Sequence, residues 1–178
     1  MKKNLFLIQL TALTFTAVLG TLLHFIYAWT KLTLFAPISA VNESTFEHMK
    51  ILFFPMLFFA LIQSKFFSEI YPNFWKIKCI GILIGVTLVP VLFYTYNGAF
   101  GKSPDWVNIA IFFISAGLAY FIEFLLFKKD SGKSASLILP IVILCLLTAV
   151  FIICTFFPPK IPLFQDPLSL GYGINANF

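Results

Sequence analysis

LFLIQLTALTFTAVLGTLLHFIY, residues 5–27, decides the fold. It runs for 23 residues without a Lys, Asp or Glu. A helix rises about 1.5 Å per residue, so about 20 apolar residues cross the hydrocarbon core of a bilayer. Met1-Lys2-Lys3 in front of it looks like the start of a signal peptide. The run is too long for an h-region, however, and no Ala-x-Ala site follows, so it is read as a retained first span. Similar runs recur at about 45–67, 77–94, 106–127 and 135–157. The expected fold is all-α: a polytopic transmembrane helical bundle of five spans. It forms a single transmembrane domain over residues 1–178, with a Pro/Gly-rich tail at 158–178.

Composition closes off the soluble classes. Hydrophobic residues make up 60% of the chain and charged residues 11%, with a mean hydropathy of +0.97. Every basic residue is Lys, which removes the bidentate Arg clamp for phosphate or carboxylate. The net charge of +5 is scattered and forms no basic stripe, so it excludes nucleic acid as a partner and leaves the lipid bilayer. Cys79, Cys145 and Cys154 all fall in apolar runs without a CxxC pair and read as small apolar residues.

The lysines orient the bundle. With the N-terminus inside, Lys2, Lys3, Lys65, Lys76, Lys78, Lys128, Lys129 and Lys133 are cytoplasmic, while Lys31, Lys50, Lys102 and Lys160 lie outside. That asymmetry fits the positive-inside rule, and five spans then put the C-terminus outside. Within the spans, Pro55 and Pro90 are expected to bend their helices. Gly81-x-x-x-Gly85 is expected to let helices approach closely. Asn97-Gly98 reads as a turn, and Ser103-Pro104-Asp105 as a helix cap with Pro at the first helical position. Glu69, Glu123 and Asp130 read as solvated flanks on the inner side, with Glu123 in reach of Lys128.

The topology gathers His24, Glu43, Glu47, His48, Tyr94, Tyr96, Asp105, Asp166 and Tyr172 on the outer side, both histidines of the chain among them. The densest group of ionisable residues is Val41-Asn42-Glu43-Ser44-Thr45-Phe46-Glu47-His48-Met49-Lys50. Glu43 and Glu47 are four apart and share a face if both are helical. Ser44-x-x-Glu47 is also a capping box, and Asn42 is a second cap candidate, so part of this density serves a helix start. Charge beside hydrocarbon is costly, and as a group these residues point to function.

Two functions fit. In the first, His24, His48, Glu43 and Glu47 hold zinc or another divalent metal, with an open position for water. Glu47, His48 and Glu43 would then carry catalysis as metal ligands or as base and orienter, in a metal-dependent intramembrane hydrolase or transferase acting on a lipid or lipid-linked substrate. Two imidazoles within about 6 Å could share one ion, given metal–nitrogen bonds near 2 Å. No HExxH or GxSxG signature is present. In the second, the protein is non-catalytic: it binds a lipid headgroup, ion or small ligand at an outer cleft, or serves as a subunit of a membrane complex. Asn42, Tyr94, Tyr96, Asp105, Asp166 and Tyr172 are further lining candidates in either case.

Three strings carry a resemblance: Val41-Asn42-Glu43-Ser44 through Glu47-His48, His24-Phe25-Ile26-Tyr27-Ala28-Trp29, and Tyr94-Thr95-Tyr96-Asn97-Gly98. Together they resemble a family of small bacterial multi-pass membrane proteins of unknown function that carry an Asn-Glu-Ser…Glu-His motif. The resemblance implies a bacterial plasma-membrane protein and no particular activity.

Overall fold

The computed structural model describes residues 4–130 and 137–175. The expectations for Lys2, Lys3 and Lys133, for the loop 131–133 and for a fifth span opening at 135 fall outside the described residues. Five helices form: α1 (Leu5–Thr30), α2 (Thr45–Phe67), α3 (Phe74–Phe100), α4 (Asp105–Lys129) and α5 (Ile138–Phe156). Each is long and apolar enough to cross a membrane, and the chain is a multi-pass membrane protein. Among the described residues there is no strand. A single antiparallel bridge, Gln165 to Tyr172, closes a loop in the tail.

α1 packs against α2 and α4, and α3 packs against the same two, so four antiparallel helices close a ring. α5 lies outside the ring against α3. Its Phe151 enters a cluster with Phe46, Phe53 and Phe54 of α2. Small residues set the helix spacing. Gly85 faces Ala119 and Gly81 faces Glu123, so the Gly-x-x-x-Gly pair does bring α3 onto α4. Pro55 has no N–H for the Ile51 carbonyl four residues back. That oxygen lies 3.1 Å from where a Cβ on Gly20 would sit, so the missing side chain lets α1 approach the freed carbonyl.

Helix ends show where local chemistry ruled. α2 begins at the predicted cap: Ser44 is extended and its Oγ accepts from Glu47 N–H at 3.4 Å. α3 is longer than the 77–94 expected. Asn97 does not make a turn, because its Nδ2 donates to Phe93 O inside the helix and its Oδ1 accepts from Ser103 N–H. The helix therefore continues to Phe100 and stops at Gly101, whose φ of 84° is left-handed. Pro104 is the extended residue before α4 and Asp105 opens the helix, one position later than the capping pattern suggests.

The bundle has two unlike ends. One holds the α1–α2 connector, the last turn of α3, the first turn of α4 and the tail; both histidines are there. The other exposes Lys65, Lys76, Lys128 and Lys129. Lys50 and Lys78 are not charges of the outer and cytoplasmic faces as expected: both are fully buried.

Candidate metal centre

The connector 31–44 builds the centre. Lys31, in a left-handed conformation at φ 54°, ends α1. The chain then turns back along that helix, and Ala40 N–H donates to Leu23 O at 3.0 Å. This return carries Glu43 to His24. The turn into α2 is fixed at several points: Ser44 N–H donates to Asn42 Oδ1 at 2.9 Å, and Asn42 Nδ2 donates to Gly173 O at 3.0 Å. His48 then comes round on the first turn of α2.

His24 Nε2 lies 3.7 Å from Glu43 Oε2, and His48 Nε2 lies 3.6 Å from the same oxygen. The two imidazoles stand 5.3 Å apart at centroids and nearly perpendicular. One ligand atom from each of His24, Glu43 and His48 falls within 4.8 Å of the others. Ligands on a tetrahedral zinc with bonds of about 2.0–2.2 Å sit about 3.3–3.6 Å apart, so the three need little movement to close on an ion. Their side chains are 20–29% exposed, which leaves the centre open on one side.

The tautomer of His48 follows from its neighbour. Nδ1 is 2.9 Å from Ser44 O, and a carbonyl only accepts, so Nδ1 carries the hydrogen. In the neutral ring, Nε2 then presents a lone pair toward the Glu43 carboxylate. Two acceptors facing each other leave a place for a cation, a proton or a metal ion, and a backbone carbonyl behind an imidazole is the usual orienting partner of a metal-bound His.

Glu47 does not belong to this set. Glu43 precedes the helix and Glu47 lies within it, so the two do not share a helical face. Glu47 is buried, and its Oε2 binds Lys50 Nζ at 2.5 Å and accepts from Val41 N–H at 3.0 Å. It supports the connector and lies outside the three-residue group. Lys50 completes that support by donating to Ala36 O at 2.9 Å and to Thr155 Oγ1 at 2.7 Å. Nothing along the chain marks Lys50 as a buried hub, since a lysine one turn inside a span end usually reaches out to water.

The remaining candidates take other places. Asn42 is buried as the link between connector and tail. Asp166 caps a turn of the tail, accepting from Leu168 and Ser169. Tyr172 bridges to Gln165 and packs on the core. Tyr96 packs on Phe100, while Tyr94 and Asp105 are exposed. Neither Asp105 nor Asp166 joins the three-residue group.

Two strongly polar features escaped the sequence reading. Glu123 is not a solvated flank near Lys128: it is fully buried and bound to Lys78 at 2.6 Å, with Gln9 Nε2 donating to the same oxygen at 3.3 Å. Deeper in the ring, Thr16 and Tyr120 share a hydrogen bond of 2.7 Å. Which helices face one another decides these pairings, and spacing along one chain does not show it.

Comparison with curated proteins and with solved structures yields no match. A family model described as a family of unknown function matches residues 2–174. That span includes all five helices, the three-residue centre and nearly all of the described tail, and the chain belongs to this family, DUF6512.

Proposed function

We propose that this is an integral protein of a bacterial plasma membrane which holds a divalent metal, zinc by ligand type, at its outer face and uses it to hydrolyse or transfer a lipid or lipid-linked substrate. The observation that carries the reading is the convergence of His24, Glu43 and His48 from three backbone segments, with the His48 tautomer set for ligation. Three protein ligands leave one position of a tetrahedral ion for water, which the metal would activate as a nucleophile. The outward orientation rests on the lysines: those exposed at the opposite end fit a cytoplasmic face. Trp29 and Phe25, stacked beside His24, suit the headgroup layer where such a substrate would enter.

A second reading is non-catalytic binding of a metal ion or headgroup. It is favoured by one observation: Glu47, the carboxylate expected to serve as base, is held by Lys50.

Metal analysis of the purified protein tests the centre. One zinc per chain is expected, lost in His48→Ala and Glu43→Gln and kept in Glu47→Gln. A zinc-free protein that also fails to take up added zinc removes the proposal. Release of water-soluble product from phospholipid vesicles, abolished by Glu43→Gln, selects the enzyme. Stoichiometric zinc without turnover selects the binder.

A further inference from the structure

We propose that Glu123 is a proton-binding site inside the bundle, independent of the metal centre. Each helix of the four-helix ring sends one polar side chain inward near the lysine-rich end: Gln9 from α1, Gln63 from α2, Lys78 from α3 and Glu123 from α4. All four are buried. The antiparallel contact of Phe15 with Phe59 puts Gln63 within about one turn of the level of Gln9. An ionisable group at such depth in a membrane bundle is costly and usually serves function.

The hydrogen bonding around Glu123 is lopsided. Oε2 takes both Lys78 Nζ and Gln9 Nε2, while Oε1 is buried with no partner. Gln9 Oε1, on the amide already attached to the carboxylate, is also buried without a partner. A proton on Glu123 Oε1 supplies the missing donor, and Gln9 Oε1 is the acceptor of that same amide. A carboxylic acid and a primary amide then bind through two hydrogen bonds where the carboxylate makes one. The surroundings also hold the cation left behind. Lys78 Nζ lies 5.1 Å from the centre of the Tyr120 ring, a cation–π contact that persists when the carboxylate is neutralised.

The proton comes from water, one O–H bond forms on Oε1, and the pair changes from net zero to +1. Among the described residues, the titratable groups facing Glu123 are Lys78 from α3 and Tyr120 one turn back on α4. α1 presents the uncharged Gln9, and α2 at this level the uncharged Gln63. Among the described residues α5 carries no Asp, Glu, Lys or His.

A hydrophobic carbodiimide, which reacts with protonated carboxyl groups in membranes, tests the site on the full chain in lipid nanodiscs, read by mass spectrometry of the peptide containing Glu123. Labelling is expected to rise as pH falls. Lys78→Met should accelerate it roughly tenfold, because loss of the cation favours the neutral acid. Gln9→Leu should slow it several-fold, because the acceptor is gone. Loss of labelled peptide in Glu123→Gln confirms the assignment. Labelling that ignores pH, or equal rates in wild type, Lys78→Met and Gln9→Leu, overturns the proposal. So does an unmodified Glu123 in every variant. Zinc content, unchanged in Gln9→Leu, keeps this result separate from the metal centre.

Discussion

Lys50→Met should be the most destabilising single change near the metal centre. The ammonium it removes has three partners: the Glu47 carboxylate, Ala36 O and Thr155 Oγ1. Lys50 and Glu47 are 0% and 1% exposed, so solvent screening does not discount the pair. At an effective dielectric of about 20 the Coulomb attraction at this contact is about 7 kcal/mol. Most of it is offset by desolvation of both ions, so it is not the expected loss. What decides the outcome is the carboxylate left behind. A buried charge stripped of its partner costs about 3–5 kcal/mol. Met fills the aliphatic volume and keeps a cavity from adding to that figure. Equilibrium unfolding in detergent, followed by tryptophan fluorescence, measures the loss. The double variant Lys50→Met/Glu47→Gln removes the orphaned charge and should recover at least half of it. A Lys50→Met protein within about 0.5 kcal/mol of wild type would refute the reasoning, as would a double variant no better than the single.

Other changes should separate packing from chemistry. Gly81→Ala drives a Cβ into Glu123 Oε1 and Cγ, which overpacks the α3–α4 contact and should cost about 1–3 kcal/mol in the same unfolding assay. Gly173→Ala meets both a left-handed φ of 59° and Thr155 O at 2.7 Å. It should free the tail to proteolysis after Phe157 while the bundle keeps its unfolding midpoint. Zinc at a hundredfold excess over its dissociation constant should stabilise wild type by about 2.7 kcal/mol. Chelator or acidification should reverse that gain, since ligating imidazoles must be neutral, and His24→Ala should not show it.

The number and type of the helices were plain from residue order, because backbone in hydrocarbon must satisfy its own hydrogen bonds. The start of α2 was equally plain, since Ser44 acts on residues three positions away. The end of α3 was not: Asn97 and Gly98 carry a turn signal that a side-chain bond to Phe93 O overrides. For the centre, antiparallel neighbours bring the end of α1 to the start of α2, so the meeting of His24 with His48 could be foreseen. The choice between Glu43 and Glu47 could not, because it depends on whether a residue precedes or follows the first helical turn. Lys78 and Glu123 are 45 residues apart, and nothing along the chain pairs them.

The bond from Asn42 to Gly173 has a consequence for biosynthesis. The ribosome makes the stretch around Gly173 after all five described helices have been polymerised, yet this stretch braces the residue beside Glu43. Chains ending short of it would keep the five helices but would hold Glu43 loosely. Under the proposed function, metal loading is then a late event, confined to molecules whose translation has passed the fifth helix.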